Sequence, residues 1–369
     1  MKLTLSKEQI IHGLQAVQNI VSSRTTLPIL SNVLLRAEGN SLELTATDLD
    51  VTVVCSVEAN VSRPGATTLP VKKLFGIVRE LANQEIEMEV DEKNFCSLRS
   101  GASYYKINGL GAEEFPPLPK FAEKRRIVVP QDKLKGMLRK TSFAISTDET
   151  RFVLNGIFFS LKEHKMTMVA TDGRRLAMAD EEVDIPPDGQ AEFIVPTKAI
   201  NELNRLLQAK GNVEIKSTEN QVAFTLQDDT GLSVLIISKL VEGNYPNYRQ
   251  VIPNETKERV PLAREELLQA LRRAEIMTSE KSNSVKLSFT KNNLAITANT
   301  PEVGEARESI AINYKGKDIA VAFNPTYLMD PLKALEDDEI YIELIDELSP
   351  GVVKINGPFL YVLMPMRMT

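Results

Sequence analysis

The chain has 369 residues, a formal net charge of −6, 43% apolar residues and 25% charged residues. That composition excludes long disorder, and the length exceeds what one hydrophobic core serves, so two or three globular domains are expected. No apolar run reaches the ~18 residues of a membrane-spanning helix, and Lys2, Lys7 and Glu8 bring charge too early for a signal peptide, so the expected location is the cytoplasm, with no membrane partner.

Cys55 and Cys96 lie in apolar, strand-like contexts and read as buried free thiols. His12 and His164 have no partner at metal-ligand spacing, and neither lies in a nucleophile motif. No phosphate-cradling GxxxxGK[ST] or GxGxxG loop occurs. No catalytic residue, cofactor or metal is therefore expected.

Along the chain one unit is written three times. Each copy opens on an amphipathic helix, with apolar positions Ile10, Leu14, Val17 and Val21, then Leu134, Leu138, Thr141 and Ile145, then Leu267, Leu271, Ala274 and Thr278. The spacing of 4, 3 and 4 lays them on one helical face. Ser6 with Gln9 reads as a capping box, and Pro130 suits a helix start. A pair of antiparallel strands follows each helix, over 32–48, 155–172 and 283–299. Next comes a strand ending in proline (Pro70, Pro196, Pro325), where proline is expected in the first turn of a second helix. Apolar pairs sit four and seven positions later: Leu74 and Ile77, Ile200 and Leu203, Met329 and Leu332. Alternating strands complete each unit, which closes near Phe115-Pro116, Tyr245-Pro246 and Met364-Pro365. The reading is α+β, three repeated domains with two helices packed on antiparallel sheets, divided as 1–124, 125–252 and 253–369.

Charge is segregated along this pattern. The second helices carry Lys72, Lys73 and Arg79, then Lys198 and Arg205, then Lys333. The first helices carry Lys7, then Lys133, Lys135, Arg139 and Lys140, then Arg264, Arg272 and Arg273. Many acids fall on strands instead: Glu85, Glu87, Glu89, Glu182, Asp184, Glu339, Glu343 and Asp346. A basic helical layer would attract phosphates without reading bases, giving salt-dependent, sequence-independent binding.

Four groups of residues, in order along the repeat, resemble the bacterial DNA polymerase III beta subunit family, the β sliding clamps. They are Arg24-Thr25-Thr26-Leu27-Pro28-Ile29-Leu30-Ser31-Asn32 with Thr47-Asp48-Leu49; Leu154-Asn155-Gly156 with Ala170-Thr171-Asp172-Gly173-Arg174-Arg175-Leu176; Ser238-Lys239-Leu240-Val241-Glu242-Gly243 with Tyr245-Pro246-Asn247-Tyr248; and Tyr361-Val362-Leu363-Met364-Pro365-Met366-Arg367. The resemblance covers the whole chain. It implies a ring-shaped head-to-tail homodimer of six domains, sheets outside and basic helices lining a central hole. It implies a non-catalytic processivity factor that encircles duplex DNA and tethers polymerases through a peptide-binding pocket.

A sliding ring needs weak phosphate contacts, for which the candidates are Arg24, Lys72, Lys73, Arg79, Arg151, Lys198 and Arg205. Arg24 matches a family contact position, and 147–153 lies where the family also touches DNA, although Asp148 and Val153 depart from the polar and aromatic residues often found there. Carried over by position, the partner-peptide pocket comprises Leu154, Thr171, Gly173, Arg174, Arg175, Leu176, Pro246, Val251, Asn324, Tyr327, Val362, Leu363, Met364, Pro365, Met366, Arg367 and Met368. Arg175 and Asn324 are expected to orient the peptide, and the Met-rich tail to supply an adaptable apolar surface. Arg174 stands where histidine is common, Gln250 where an arginine can occur and Ser282 where an aromatic can occur; Thr369 extends past the usual end. Subunit-interface candidates are the edge strand with Tyr105 and Ile107, and the third-repeat segment with Arg272, Ile276 and Met277. The implied partners are double-stranded DNA, a second copy of the chain, the replicative polymerase, the clamp loader, and other clamp-binding proteins of translesion synthesis, ligation and mismatch repair. Two other readings compete. One is phosphoryl chemistry at Asp172, Arg174 and Arg175, against which Asp48 and Asn299 recur at the same place and suggest a turn. The other is a peptide-binding scaffold that ignores DNA.

Overall fold

The computed structural model describes residues 1–21, 27–82, 84–119, 121, 125–227, 233–279 and 283–367. One order of elements runs through the chain three times. The first copy has β1 (Lys2–Ser6), α1 (Lys7–Val17), β2 (Asn32–Glu38), β3 (Ser41–Thr47), β4 (Val51–Glu58), β5 (Asn60–Arg63), β6 (Gly65–Pro70), α2 (Val71–Glu80), β7 (Glu85–Val90), β8 (Phe95–Ser100) and β9 (Ser103–Asn108). The second has β10 (Arg125–Pro130), α3 (Gln131–Thr141), β11 (Gly156–Lys162), β12 (Lys165–Thr171), β13 (Arg175–Glu182), β14 (Ala191–Pro196), α4 (Thr197–Leu206), β15 (Asn212–Ser217), β16 (Gln221–Gln227) and β17 (Ser233–Lys239). The third has β18 (Glu258–Ala263), α5 (Arg264–Glu275), β19 (Val285–Thr290), β20 (Asn293–Thr300), β21 (Gly304–Ala311), β22 (Ile319–Phe323), α6 (Pro325–Ala334), β23 (Glu339–Leu344), β24 (Gly351–Lys354) and β25 (Phe359–Leu363).

Local chemistry sets the helix starts. The Gln9 N–H donates to Ser6 Oγ at 3.1 Å and the Ser6 N–H to Gln9 Oε1 at 2.9 Å, the expected capping box. Ile10, Leu14 and Val17 are fully buried, as are Leu134 and Leu138, and Leu267, Leu271 and Ala274. The helices end sooner than the spacing suggests: Val21, Ile145 and Thr278 lie beyond the last turns, and only Val21 of these is buried. In α2 the buried position is Val78 rather than Ile77, because the stripe runs through Val71, Leu74 and Val78. The prolines differ in role. Pro70 and Pro196 end strands, and Pro70 occupies the N-cap of α2; only Pro325 stands in the first turn of its helix. Asp184 and Asp346 lie just past strand ends, not on strands.

Two compact units result: 1–135 with 184–191 and 198–240, and 136–183 with 192–197 and 241–369. The first holds a five-stranded sheet, β5-β1-β7-β8-β9, and an eight-stranded sheet, β10-β15-β16-β17-β4-β3-β2-β6. The second holds an eight-stranded sheet, β14-β11-β12-β13-β25-β24-β23-β18, and a four-stranded sheet, β21-β20-β19-β22. Each eight-stranded sheet joins two repeats edge to edge. In the first unit β4 pairs antiparallel with β17, Thr52 opposite Ile237; in the second β13 pairs antiparallel with β25, Leu176 opposite Val362. These registers make Val362 the counterpart of Ile237, so Met364 corresponds to Lys239. The expected equivalence of Met364-Pro365 with Tyr245-Pro246 therefore does not hold. Cys55 and Cys96 are buried outside any disulfide, and burial pushes the Cys96 thiol up to about 12.

Candidate functional site

The Thr-Asp turn after the third strand of a repeat is built identically twice. Thr171 Oγ1 donates to Arg175 O at 2.6 Å and accepts the Gly173 N–H at 3.1 Å, while Asp172 Oδ1 accepts the N–H groups of Arg174 and Arg175 at 2.9 and 3.1 Å. In the first repeat Thr47 Oγ1 donates to Val51 O and accepts from Leu49, and Asp48 Oδ1 accepts from Asp50 and Val51 at 3.1 and 2.7 Å. The turn needs a left-handed residue at its tip, Gly173 (φ 85°) in one copy and Leu49 (φ 78°) in the other. Asp172 is thus occupied as a turn former, which removes the basis for phosphoryl chemistry there.

The turn delivers Arg175 into a buried brace. Its Nε donates to Asp172 Oδ2 at 3.0 Å, Nη1 to Asp330 Oδ2 at 2.5 Å and Nη2 to Phe143 O at 2.6 Å. The guanidinium lies 4.2 Å from the centre of the Tyr327 ring. Tyr361, wholly buried, donates from its hydroxyl to Tyr327 O at 2.7 Å, and burial holds its pKa above the ordinary tyrosine value. Asn324 caps α6, its Oδ1 accepting the Tyr327 N–H at 3.2 Å. Of the two polar groups expected to orient a peptide, the Arg175 guanidinium is thus fully engaged within the protein, and Asn324 is engaged through its Oδ1. Asp330 and Phe143 complete the brace; no local motif marks either, because Asp330 is 155 positions from Arg175.

Beside the brace lies an apolar floor. Val169, Leu176 and Val362 are buried together, and Phe158, Met178, Tyr245, Tyr248, Ile252 and Leu360 pack on them. Phe158 stacks on Tyr245 at 5.0 Å and meets Tyr248 at 6.0 Å. Leu154 and Leu363 are buried too, whereas Gly173, Arg174, Pro246, Val251, Met366 and Arg367 are exposed and Thr171, Met364 and Pro365 half-buried. The tail is pinned through its backbone: the Met364 N–H donates to Arg174 O at 3.0 Å and the Met366 N–H to Ala322 O at 2.7 Å. Of the expected pocket residues the structure buries Leu176 and Val362 in one cluster, joins Met364 to Arg174 through the backbone and sets Arg175 on the Tyr327 ring; Met368 lies outside the described residues.

The basic candidates divide. Lys72 and Lys73 project from α2 into solvent, with no ion pair or hydrogen bond among the described residues. Arg79 is exposed and pairs with Glu80 at 2.9 Å. Lys198 is paired with Asp48 and reaches Ile20 O at 3.3 Å. Arg205 donates to Gln15 O and Ala16 O at 2.8 and 2.7 Å and pairs with the buried Glu202 at 2.5 Å, so it satisfies carbonyls at the end of α1. Arg151 pairs with Asp148 at 3.0 Å and lies against Gly173. Arg24, Ser282 and Thr369 lie outside the described residues.

The interface candidates gather at two sheet edges. Tyr104 and Tyr105 are exposed on β9, an edge strand, while Ile107 is buried. Ile276 is 74% exposed just past α5, so it is not helix core. Met277 packs its Cε against Gly304, where the edge strand β21 begins, and Arg273 pairs with Glu308 of β21 at 2.6 Å. Arg272 is exposed.

Three family models match the chain: the DNA polymerase III beta subunit N-terminal domain over residues 1–119, the central domain over 128–247 and the C-terminal domain over 249–367. The beta sliding clamp of Bacillus subtilis is 32% identical over 381 residues, covering 100% of both chains. The crystal structure of the Pseudomonas aeruginosa DNA polymerase III subunit beta matches at a TM-score of 0.94 with 34% identity, and that of the Bartonella birtlesii clamp bound to griselimycin at 0.94 with 36%, each covering 100% of both chains. A threefold repeat joined through two shared sheets, matched over its full length, has one consistent assignment: the chain belongs to the DNA polymerase III beta subunit family, the bacterial beta sliding clamps.

Proposed function

We propose that two copies of the chain close head to tail into a ring around duplex DNA, with a partner-peptide pocket on each. Family membership makes the protein a non-catalytic sliding clamp of DNA polymerase III. The observation that carries the ring is the bookkeeping of sheet edges. A β4-type edge meets a β17-type edge at the first joint, and the same two edge types, β13 and β25, meet at the second. One edge of each type is left over: β21 in the third repeat and β9 in the first. Pairing β9 with β21 of a second copy repeats the joint, covers two exposed edges and leaves no further edge of either type.

The joint also sets a register. Thr52, Leu176 and Ala306 are counterparts through their partners Thr47, Thr171 and Ala298 in the neighbouring strand. Lys106, Ile237 and Val362 are counterparts: Leu3, Ile127 and Val260, each four residues before a repeat's first helix, lead through three successive strand pairings to Tyr105, Ile236 and Tyr361, one residue earlier. Repeating the joint places Lys106 opposite Ala306, and Tyr104 opposite Glu308. A domain limit near 124 is supported by the gap between the stretches matched at 1–119 and 128–247, whereas the limit near 253 lies a few residues inside the stretch matched at 249–367.

Exposed Lys72 and Lys73, with Arg79 and Arg24, supply weak phosphate contacts that permit sliding. The floor of Leu176 and Val362, rimmed by Val251, Pro246 and Met364, receives the apolar anchor of a partner peptide from the polymerase, the clamp loader or other replication and repair proteins, in the cytoplasm at the nucleoid. Retention after loading on nicked circular plasmid, against the same plasmid linearised, tests the ring: retention on the circle with rapid loss from the linear form is expected. Equal retention on both sinks it in favour of ordinary contact binding.

A further inference from the structure

We infer that Arg174 is an anion-binding contact that selects partner segments carrying an aspartate or glutamate side chain beside the apolar anchor, an inference resting on the pocket reading above. The protein contains its own control. The Lys239 N–H donates to Asp50 O at 2.9 Å at the first joint, and the Met364 N–H donates to Arg174 O at 3.0 Å at the second. The backbones are the same, and the side chains differ. At the first joint Asp50 and Lys239 close an ion pair at 2.9 Å. At the second the two positions hold Arg174 and Met364, so the pair cannot form.

The Arg174 guanidinium is exposed and makes no ion pair or hydrogen bond among the described residues. The acids around it are committed elsewhere. Asp172 holds Arg175 at 3.0 Å, and Asp148 holds Arg151 at 3.0 Å while accepting from the Thr150 hydroxyl at 2.6 Å. No contact joins Arg174 to Glu149 or Glu242, the other acids on these segments. A second cation stands against the same turn: a side chain added at Gly173 would bring its Cβ within 2.6 Å of Arg151 Nη1. An uncompensated guanidinium at the edge of an apolar floor in a protein of net charge −6 gives a local field that favours a carboxylate and disfavours an ammonium group.

The test uses the full-length protein and an end-capped peptide from the replicative polymerase's clamp-binding segment. The residue adjoining its apolar anchor is set to Asp or to the isosteric Asn, and Kd is measured at low and high salt. The wild type is expected to prefer the Asp peptide by about fivefold at low salt, as for a partly exposed charge pair. In Arg174→Gln that ratio falls to about one, and in Arg174→Glu a Lys-flanked peptide becomes the preferred one. Because the turn uses only the backbone N–H of Arg174, both variants keep its geometry. A wild-type ratio of one, or a ratio unchanged in Arg174→Gln, overturns the inference while leaving the pocket standing. Failure of both peptides to bind the wild type overturns the pocket reading and the inference with it.

Discussion

The Arg175 guanidinium meets the Asp330 carboxylate at 2.5 Å, tying β13 of the second repeat to α6 of the third. Only 10% of the arginine side chain is exposed, so its charge depends on these partners rather than on water. Asp330→Asn leaves that charge underpaired. The expected cost is about 2 kcal/mol in urea unfolding, with weaker peptide binding as the stack on Tyr327 loosens. Arg175→Lys should also weaken both, because an ammonium cannot reach Asp172, Asp330 and Phe143 O together. An unchanged unfolding midpoint in Asp330→Asn would contradict the brace.

The basic residues should separate by function. Lys72→Glu with Lys73→Glu is expected to reduce the slope of log Kobs for DNA against log salt by about 0.9 for each phosphate no longer neutralised, with unfolding unaffected. Arg205→Gln, which strips two carbonyls and a buried glutamate of their donor, is expected to lower stability instead. A salt slope insensitive to the α2 lysines, measured beside a stable Arg205→Gln, would reverse the assignment.

The joint predicts a cross-link. Lys106→Cys combined with Ala306→Cys should oxidise to a covalent species of two or more chains on a denaturing gel, because directly opposed strand positions bring Cα atoms within disulfide range. Moving the second cysteine to Glu308 breaks the register and should lower the yield sharply. Equal yields for the two pairs would exclude the proposed register.

Cys96 gives a pH dependence. Burial raises its thiol to about 12, whereas an unfolded thiol ionises near its ordinary value of about 8.5. Above that ordinary value the unfolded chain binds fewer protons than the folded one, so this group's contribution to stability falls as pH rises from about 8.5 toward about 12. Native protein at pH about 8 should leave Cys96 unmodified by a thiol reagent and expose it only on unfolding. Rapid native modification at that position would refute its burial.

The repeat, the amphipathic helices and the strand pairs were legible in the chain because each depends on local periodicity. The capping box at Ser6 and the turns at Asp48 and Asp172 are likewise short-range, a few residues closing their own hydrogen bonds. Composition and spacing were enough to set aside metal and nucleophile chemistry as expectations. Which cations remain free was not legible: Lys72 and Lys198 are alike as letters, and only folding brings Asp48 to one of them. The same holds for Arg174 and Arg175, adjacent in sequence, one open to solvent and the other enclosed by Asp330 and Phe143 O. The joints themselves, and the edges β9 and β21 that they leave over, depend on pairing strands far apart in the chain. Periodicity gives a strand its faces, but its neighbours are chosen by long-range packing, and that only the tertiary structure decided.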